Sequence, residues 1–301
     1  MRTAFIKELI VQARLHPEVF LVVGDLGFSV VEPFASEFPE RFLNAGVAEQ
    51  NMTGVAAGLA SEGFHVFTYS IANFPTLRCL EQIRNDICYH QLPVTVVSVG
   101  AGVAYGNLGY SHHAVQDIAI LRTLPELTLL SPADPGEARE SLQWLIQHPR
   151  PSYLRLGKAG EPDLHTVRGL SEGPLLVRPG TGNTAIVASG SILKLALETA
   201  RLLGEKGFEL PVFSLPWLHP CDAKLVASLS RFERIFVLEE HVQAGGVASL
   251  LRENLGGHPL IISLALPASV LGMVGSQDYL RGAAGLTSAE LFTRIRGDSP
   301  N

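Results

Sequence analysis

Residues Arg41–Ala60 read RFLNAGVAEQNMTGVAAGLA, and Val66–Tyr69, VFTY, follow after a short polar break. In the first stretch Met52, Val55, Ala56, Leu59 and Ala60 recur at the spacing of one helix face, whereas the second is the short β-branched and aromatic run of a buried strand. Working outward, the same kind of run appears at Val19–Val23, Val94–Val99, Leu127–Leu130 and Tyr153–Leu156. Between the runs lie further helical faces. One carries Val115, Ile118, Ala119 and the aliphatic stem of Arg122; another starts at Asp134-Pro135-Gly136-Glu137 with an N-cap, a first-turn proline and a capping-box acid, and carries Ala138, Leu142, Leu145 and Ile146. Strand and helix in alternation predict βαβ units around a mostly parallel sheet.

From Gly157 to Asn183 there are six glycines and three prolines with little periodicity, the composition of a linker. A second alternation follows, with strands at Thr184–Ala188, Val212–Leu215, Ile235–Leu238 and Leu260–Leu264, and helices at Leu193–Gly204 and Val247–Leu255. A final helix opens at Thr287, with Glu290 closing a T-x-x-E capping box. The expected fold class is α/β, as two consecutive three-layer domains with mostly parallel sheets over residues 1–160 and 184–301, joined by a linker at 161–183.

Hydrophobic residues form 47% and charged residues 17% of the 301 positions, which excludes disorder as the main state. The net charge of −6, without any run of Lys or Arg, argues against nucleic acid as a partner. Cys79, Cys88 and Cys221 lack metal-ligand spacing and read as reduced thiols. Lys7, Glu8 and Arg14 interrupt any apolar block of an export signal, and Pro267 interrupts the apolar stretch Leu260–Gly275, so a cytoplasmic protein with no membrane span is expected.

Glu49 lies three residues before Met52, which puts its carboxylate at the edge of a buried helix face. It reads either as a first-turn acid complementing the helix dipole or as a buried acid that shares a proton with a ligand nitrogen. Gly54 and Gly58 on the same helix would allow a close backbone or flat ligand approach. Gly100–His113 is a glycine-rich loop between strand and helix, at the strand end where open α/β sheets bind ligands. His112 and His113 are adjacent and point apart, so no metal site is expected; a histidine here serves as acid, base or oxyanion donor, or is merely solvated.

These stretches, together with FPTLRCLEQIRNDICYHQLPV (Phe74–Val94), GNLGYSHHAVQDIAILRTLPELTLLSPAD (Gly106–Asp134) and PSYLRLGK (Pro151–Lys158), resemble the pyrimidine-binding domain of transketolases. VLEEHVQAGGVASLL (Val237–Leu251) and GLTSAELFTRI (Gly285–Ile295) resemble the transketolase C-terminal domain. No diphosphate-binding GDG…N motif is present; Gly24-Asp25-Leu26-Gly27 comes nearest, in another context. The resemblance therefore implies the C-terminal section of a split transketolase. A separate N-terminal subunit would bring thiamine diphosphate and Mg²⁺ to an α2β2 assembly acting on a sugar phosphate or a related small molecule.

The same resemblance implies that Glu49 hydrogen-bonds the ring nitrogen of the cofactor's aminopyrimidine and that Phe74 stacks on that ring, with core packing as the alternative for Phe74. Asp25 would lie near the cofactor or cap a turn. His112 would contact the substrate near its reacting carbonyl, and Lys158, with Arg155 beside it, would read a substrate phosphate or remain a surface charge. Ile71 and Leu77 stand where transketolases often have aromatic residues. Gly100, Asn107 and Leu108 replace a His and a Glu-Asp pair, and Tyr110-Ser111 replaces Pro-Thr. Losing partners for a substrate hydroxyl changes discrimination by roughly 10⁴ or more, so a substrate outside the pentose phosphates is expected. A 1-deoxyxylulose-5-phosphate-synthase-like enzyme, a 2-oxo acid dehydrogenase β chain and an inactive interaction subunit are the alternatives. His219 and His241 read as interface or core histidines.

Overall fold

A computed structural model describes residues 1–167, 169–170 and 172–298. Twelve strands form two sheets among the described residues: β1 (Val19–Val23), β2 (Phe42–Asn44), β3 (His65–Ile71), β4 (Val94–Val99), β5 (Thr128–Leu130), β6 (Ser152–Leu156), β7 (Leu175–Arg178), β8 (Thr184–Ser189), β9 (Val212–Ser214), β10 (Trp217–His219), β11 (Arg234–Val242) and β12 (Leu260–Leu266). The first sheet has the order β10-β5-β6-β4-β3-β1-β2 and the second β12-β11-β8-β9-β7. All pairings are parallel except β10 with β5 and β7 with β9.

Helices cover both faces of the first sheet, which is why β1, β4 and β6 are buried along their whole length rather than on alternate residues. Phe5 and Leu9 of helix Arg2–Leu15 join Ala138 and Leu142 of helix Pro135–Gln147 over Leu21, Phe67 and Val97. On the opposite face, Met52 and Ala56 of helix Glu49–Ser61 pack on Phe20, Val22 and Val66. The Pro135–Gln147 helix starts as its sequence dictates: the Glu137 N–H donates to Asp134 Oδ1 at 2.8 Å. The Glu137 carboxylate, however, reaches back to the N–H of Ala133 (2.6 Å) rather than to the cap itself.

Two departures concern the division of the chain. The glycine- and proline-rich stretch at 161–183, expected to be all linker, contains β7, an antiparallel edge strand of the second sheet. Its surroundings hid four residues with no amphipathic alternation. The segment 217–219, within the second half of the sequence, forms β10 and pairs with β5 at the edge of the first sheet. One apolar cluster runs through both halves, joining Val96 and Leu129 to Leu215, Leu218 and Val237.

A buried ion pair completes the junction. Arg155, 2% exposed at the end of β6, donates from Nε to Asp117 Oδ2 (2.7 Å) and from Nη2 to the carbonyls of Ala114 (2.7 Å) and Glu240 (3.1 Å). The Tyr153 hydroxyl donates to the same Asp117 oxygen at 2.6 Å. Burial alone would raise the Asp117 pKa, but Arg155 and the neighbouring donors bring it below its ordinary value. Arg155→Met should cost about 3–5 kcal/mol in a denaturant titration, because it leaves the Asp117 charge buried and unpaired; a loss below about 1 kcal/mol would contradict this.

His65, at the start of β3, is 3% exposed, and burial depresses its pKa to about 4. The native state therefore binds fewer protons than the unfolded chain between pH ~6.5 and ~4. His65 contributes no pH dependence above that window and about 1 kcal/mol of destabilisation per unit as the pH falls through it. His65→Phe should remove this part of the acid sensitivity, measured as denaturation midpoints at pH 7 and pH 4.5.

Candidate active site at the carboxyl ends of the strands

The carboxyl ends of β1, β2, β3, β4 and β6 lie along one edge of the first sheet. Beyond β3, the Ala72–Thr76 segment is fixed by Ser98 Oγ and Thr76 Oγ1, both donating to the Ala72 carbonyl (3.0 and 2.6 Å), and by a turn bond from the Phe74 N–H to Ile71 O. Beyond β4, the chain makes two short 3-10 turns, Gly106–Leu108 and Tyr110–His112. Asn73 ties the two segments together: its Nδ2 donates to the carbonyls of His113 (2.6 Å) and Ser111 (3.3 Å). Between them lies a cleft of about 300 Å³ lined by Asn73, Phe74, Arg78, Tyr110, Ser111 and His113.

Phe74 is half-buried and meets the His112 ring edge-on, with centroids 5.2 Å apart. Burial, and secondarily the adjacent His113, hold the His112 pKa below 6.5, so its imidazole is neutral at neutral pH. His112 Nδ1 lies 3.0 Å from Ser111 Oγ. Glu49, in the first turn of its helix, is 1% exposed. Its Oε2 accepts from Arg78 Nη1 at 2.5 Å, while its Oε1 is buried with no hydrogen-bond partner. Arg78 in turn lies with Cζ 4.8 Å from the Phe74 ring centroid. Glu49, Arg78, Phe74 and His112 thus form one contiguous chain of contacts, and Asn73 Oδ1 and both ring nitrogens of the fully buried His113 also lack partners beside it.

Glu49 is thus both a first-turn acid and a buried one, linked through Arg78 to Phe74 and His112. Asp25 has a left-handed backbone (φ 53°) just past β1 and exchanges hydrogen bonds with Asn44 at the end of β2, from Asn44 Nδ2 to Asp25 Oδ1 (2.9 Å) and from the Asp25 N–H to Asn44 Oδ1 (3.1 Å). That is the turn-capping role, at the same sheet edge. Lys158 follows β6 and is half-buried; its N–H donates to Glu161 Oε1 at 2.7 Å, and it does not line the cleft.

Arg155 requires correction as a candidate for substrate phosphate. Its side chain is enclosed and engaged by Asp117, Ala114 and Glu240, so it is a structural lock and not an available cation. The helix and loop glycines differ from each other in surroundings. Cβ atoms at Gly54 and Gly58 would meet open space, so this chain makes no close approach there. The loop glycines instead admit the chain's own side chains: Gly100 (φ 95°) faces the Tyr105 ring, and Gly102 (φ 66°) faces Glu240.

Sequence reasoning missed Arg78, Asn73 and the enclosed environment of His113. Arg78 sits one helical turn after Phe74, a spacing that places the two on one side but carries no mark of a carboxylate partner.

The profile described as transketolase, pyrimidine binding domain, matches residues 1–160, and that of the transketolase C-terminal domain matches residues 175–291. An apulose-4-phosphate transketolase subunit of Phocaeicola vulgatus is 34% identical over 271 residues, covering 87% of this chain and 86% of that protein. The 1-deoxy-D-xylulose-5-phosphate synthase 1 of Geobacter sulfurreducens is 34% identical over 282 residues, covering 88% of this chain but 43% of that protein. A solved structure described as "Split gene transketolase, inactive beta4 tetramer" superposes with a TM-score of 0.89 at 31% identity, covering 98% of this chain and 97% of that one. Both halves are matched in order, and the buried glutamate lies within the matched pyrimidine-binding half: the chain belongs to the transketolase family.

Proposed function

We propose that this chain is the C-terminal subunit of a split, cytoplasmic, thiamine diphosphate-dependent enzyme that moves a two-carbon ketol unit between sugar phosphates or related sugars. Enzymes of the transketolase family use thiamine diphosphate. In this reading an N-terminal subunit holds the diphosphate and Mg²⁺, and two copies of each chain assemble as α2β2. Among the described residues no three His, Cys, Asp or Glu side chains lie together as a metal site, and no helix is long and apolar enough to cross a membrane.

The observation that carries the reading is Glu49: a carboxylate 1% exposed whose Oε1 has no partner and whose Oε2 is linked through Arg78 to Phe74 and His112. A buried acid with a free oxygen fits a ligand nitrogen that carries or shares a proton. Bound thiamine diphosphate supplies an electron sink for carbanion chemistry. Glu49 would hold the group by accepting a hydrogen bond from its aminopyrimidine ring nitrogen, and Phe74 would offer that ring a face. His112, neutral and edge-on to the cleft residue Phe74, would accept or donate a proton at a substrate oxygen. Lys158 and Asp25 stay in this reading as a phosphate contact and a neighbour of the cofactor, respectively.

Substrate choice follows from what the loop lacks. Gly100 adopts φ 95° and a Cβ there would collide with Tyr105, so no side chain can reach the substrate from this position. Leu108 is exposed where a polar side chain would be needed to bind a hydroxyl. The relative from P. vulgatus is named for apulose 4-phosphate, which supports a donor or acceptor outside the common pentose phosphates. The Geobacter relative supports a second reading, condensation of a 2-oxo acid with an aldehyde.

Assays of the chain assembled with its partner separate these readings: turnover of a ketose donor supports the first, and of a 2-oxo acid with an aldehyde the second. Glu49→Gln should lower turnover by roughly 10²–10⁴-fold in either case. Turnover unchanged by Glu49→Gln would point to an interaction subunit and overturn the catalytic reading.

A further inference from the structure

Arg78 makes two contacts at once. Its Nη1 donates to Glu49 Oε2 at 2.5 Å, and its guanidinium carbon stands 4.8 Å from the Phe74 ring centroid. A guanidinium is a flat, delocalised cation that donates to carboxylates and packs on aromatic rings. The proposed function gives the cofactor's aminopyrimidine the same two residues, an N–H to Glu49 and a flat face on Phe74; Arg78 holds Oε2 of the carboxylate and leaves Oε1 free, but it occupies the face of the one ring. Resting on that reading, we propose that Arg78 is a resident stand-in for the pyrimidine: it closes the site of the cofactor-free subunit and gives way when cofactor enters.

The reason for such a latch lies in Glu49. The carboxylate is 1% exposed, and among the described residues Arg78 is its one charged partner. Without a countercharge, a buried carboxylate is strongly unfavourable. The two partners differ in freedom: Glu49 is enclosed at its helix start, whereas the Arg78 side chain is 45% exposed on the short turn Leu77–Cys79. Its head can swing to solvent through side-chain torsions alone, leaving the aliphatic stem in place. An incoming flat ring and the guanidinium compete for the face of Phe74 and for the space beside one carboxylate. The apparent cofactor affinity is then reduced by the fraction of time the latch is closed.

The test measures thiamine diphosphate binding in the presence of Mg²⁺, by calorimetry and stopped-flow fluorescence, on the chain assembled with its diphosphate-binding subunit. Arg78→Met keeps the stem and removes the plane and charge; a latch closed about 90% of the time predicts roughly tenfold tighter binding and faster association. Arg78→Lys keeps the charge but not the flat face, and is expected to bind severalfold tighter than wild type. In the cofactor-free chain, Arg78→Met should lower the melting temperature, and the double variant Glu49→Gln/Arg78→Met should recover it, which ties the effect to the buried carboxylate. If Arg78→Met fails to fold, Arg78→Lys alone decides.

Unchanged or weaker binding by the variants, with wild type binding normally, overturns the latch and leaves the proposed function standing. Absence of binding by the wild-type assembly and every variant overturns the proposed function and the latch together.

Discussion

The guanidinium of Arg155 is the interaction on which the remaining architecture depends. A fully enclosed cation is tolerable only if each of its donors meets an acceptor, and here the acceptors come from distant parts of the chain: the Asp117 carboxylate, the Ala114 carbonyl beside the histidine pair, and the Glu240 carbonyl in the second sheet. Satisfying one side chain therefore sets three distances. It fixes the end of the glycine-rich loop, the helix that follows it, and the placement of β11 against β6. Glu240 extends the arrangement with its own ion pair to Arg281 and a hydrogen bond from Gln277. The cleft residues Asn73, Phe74 and His113 lie on segments next to this enclosed polar network.

The cleft itself has the opposite character. Glu49 Oε1, Asn73 Oδ1 and both His113 nitrogens are buried without a partner, whereas in the network around Arg155 that holds of Asp117 Oδ1 alone among the described residues. Buried polar atoms without partners also occur elsewhere, at Ser141 and Ser263 for example; Asn73 and His113 are set apart because they line an open cleft in which a ligand could supply the missing bonds. The flexible contribution is Arg78, which reaches the enclosed acid from an exposed turn. An enclosed anion and a mobile cation give the site two arrangements without any movement of the backbone.

What was legible in the sequence was local. Strands such as Val19–Val23 and Val94–Val99 declare themselves because both faces are buried, and the Asp134 cap declares its helix through chemistry confined to four residues. Glu49 was legible because helical spacing alone places it beside Met52. Arg155 was not: nothing near it in sequence announces that Asp117 and Glu240 will enclose it, and a cation beside Lys158 reads naturally as surface. The same holds for β7 and β10, which are short, lack alternation and are strands only because a distant edge offers hydrogen bonds. The pairing of Arg78 with Glu49 spans 29 positions and needed coordinates.

Strand β10 also bears on how far the two halves depend on each other. The edge of the first sheet at β5 is closed by a strand that arrives after the second sheet has begun, and an apolar cluster continues across the seam. A polypeptide cut where the two family domains meet would leave the first piece with an open row of backbone donors and acceptors, the kind of edge that recruits other chains. The two halves are thus separable as names but not as folding units. A break in the chain between the two halves would therefore carry a structural cost at this shared edge.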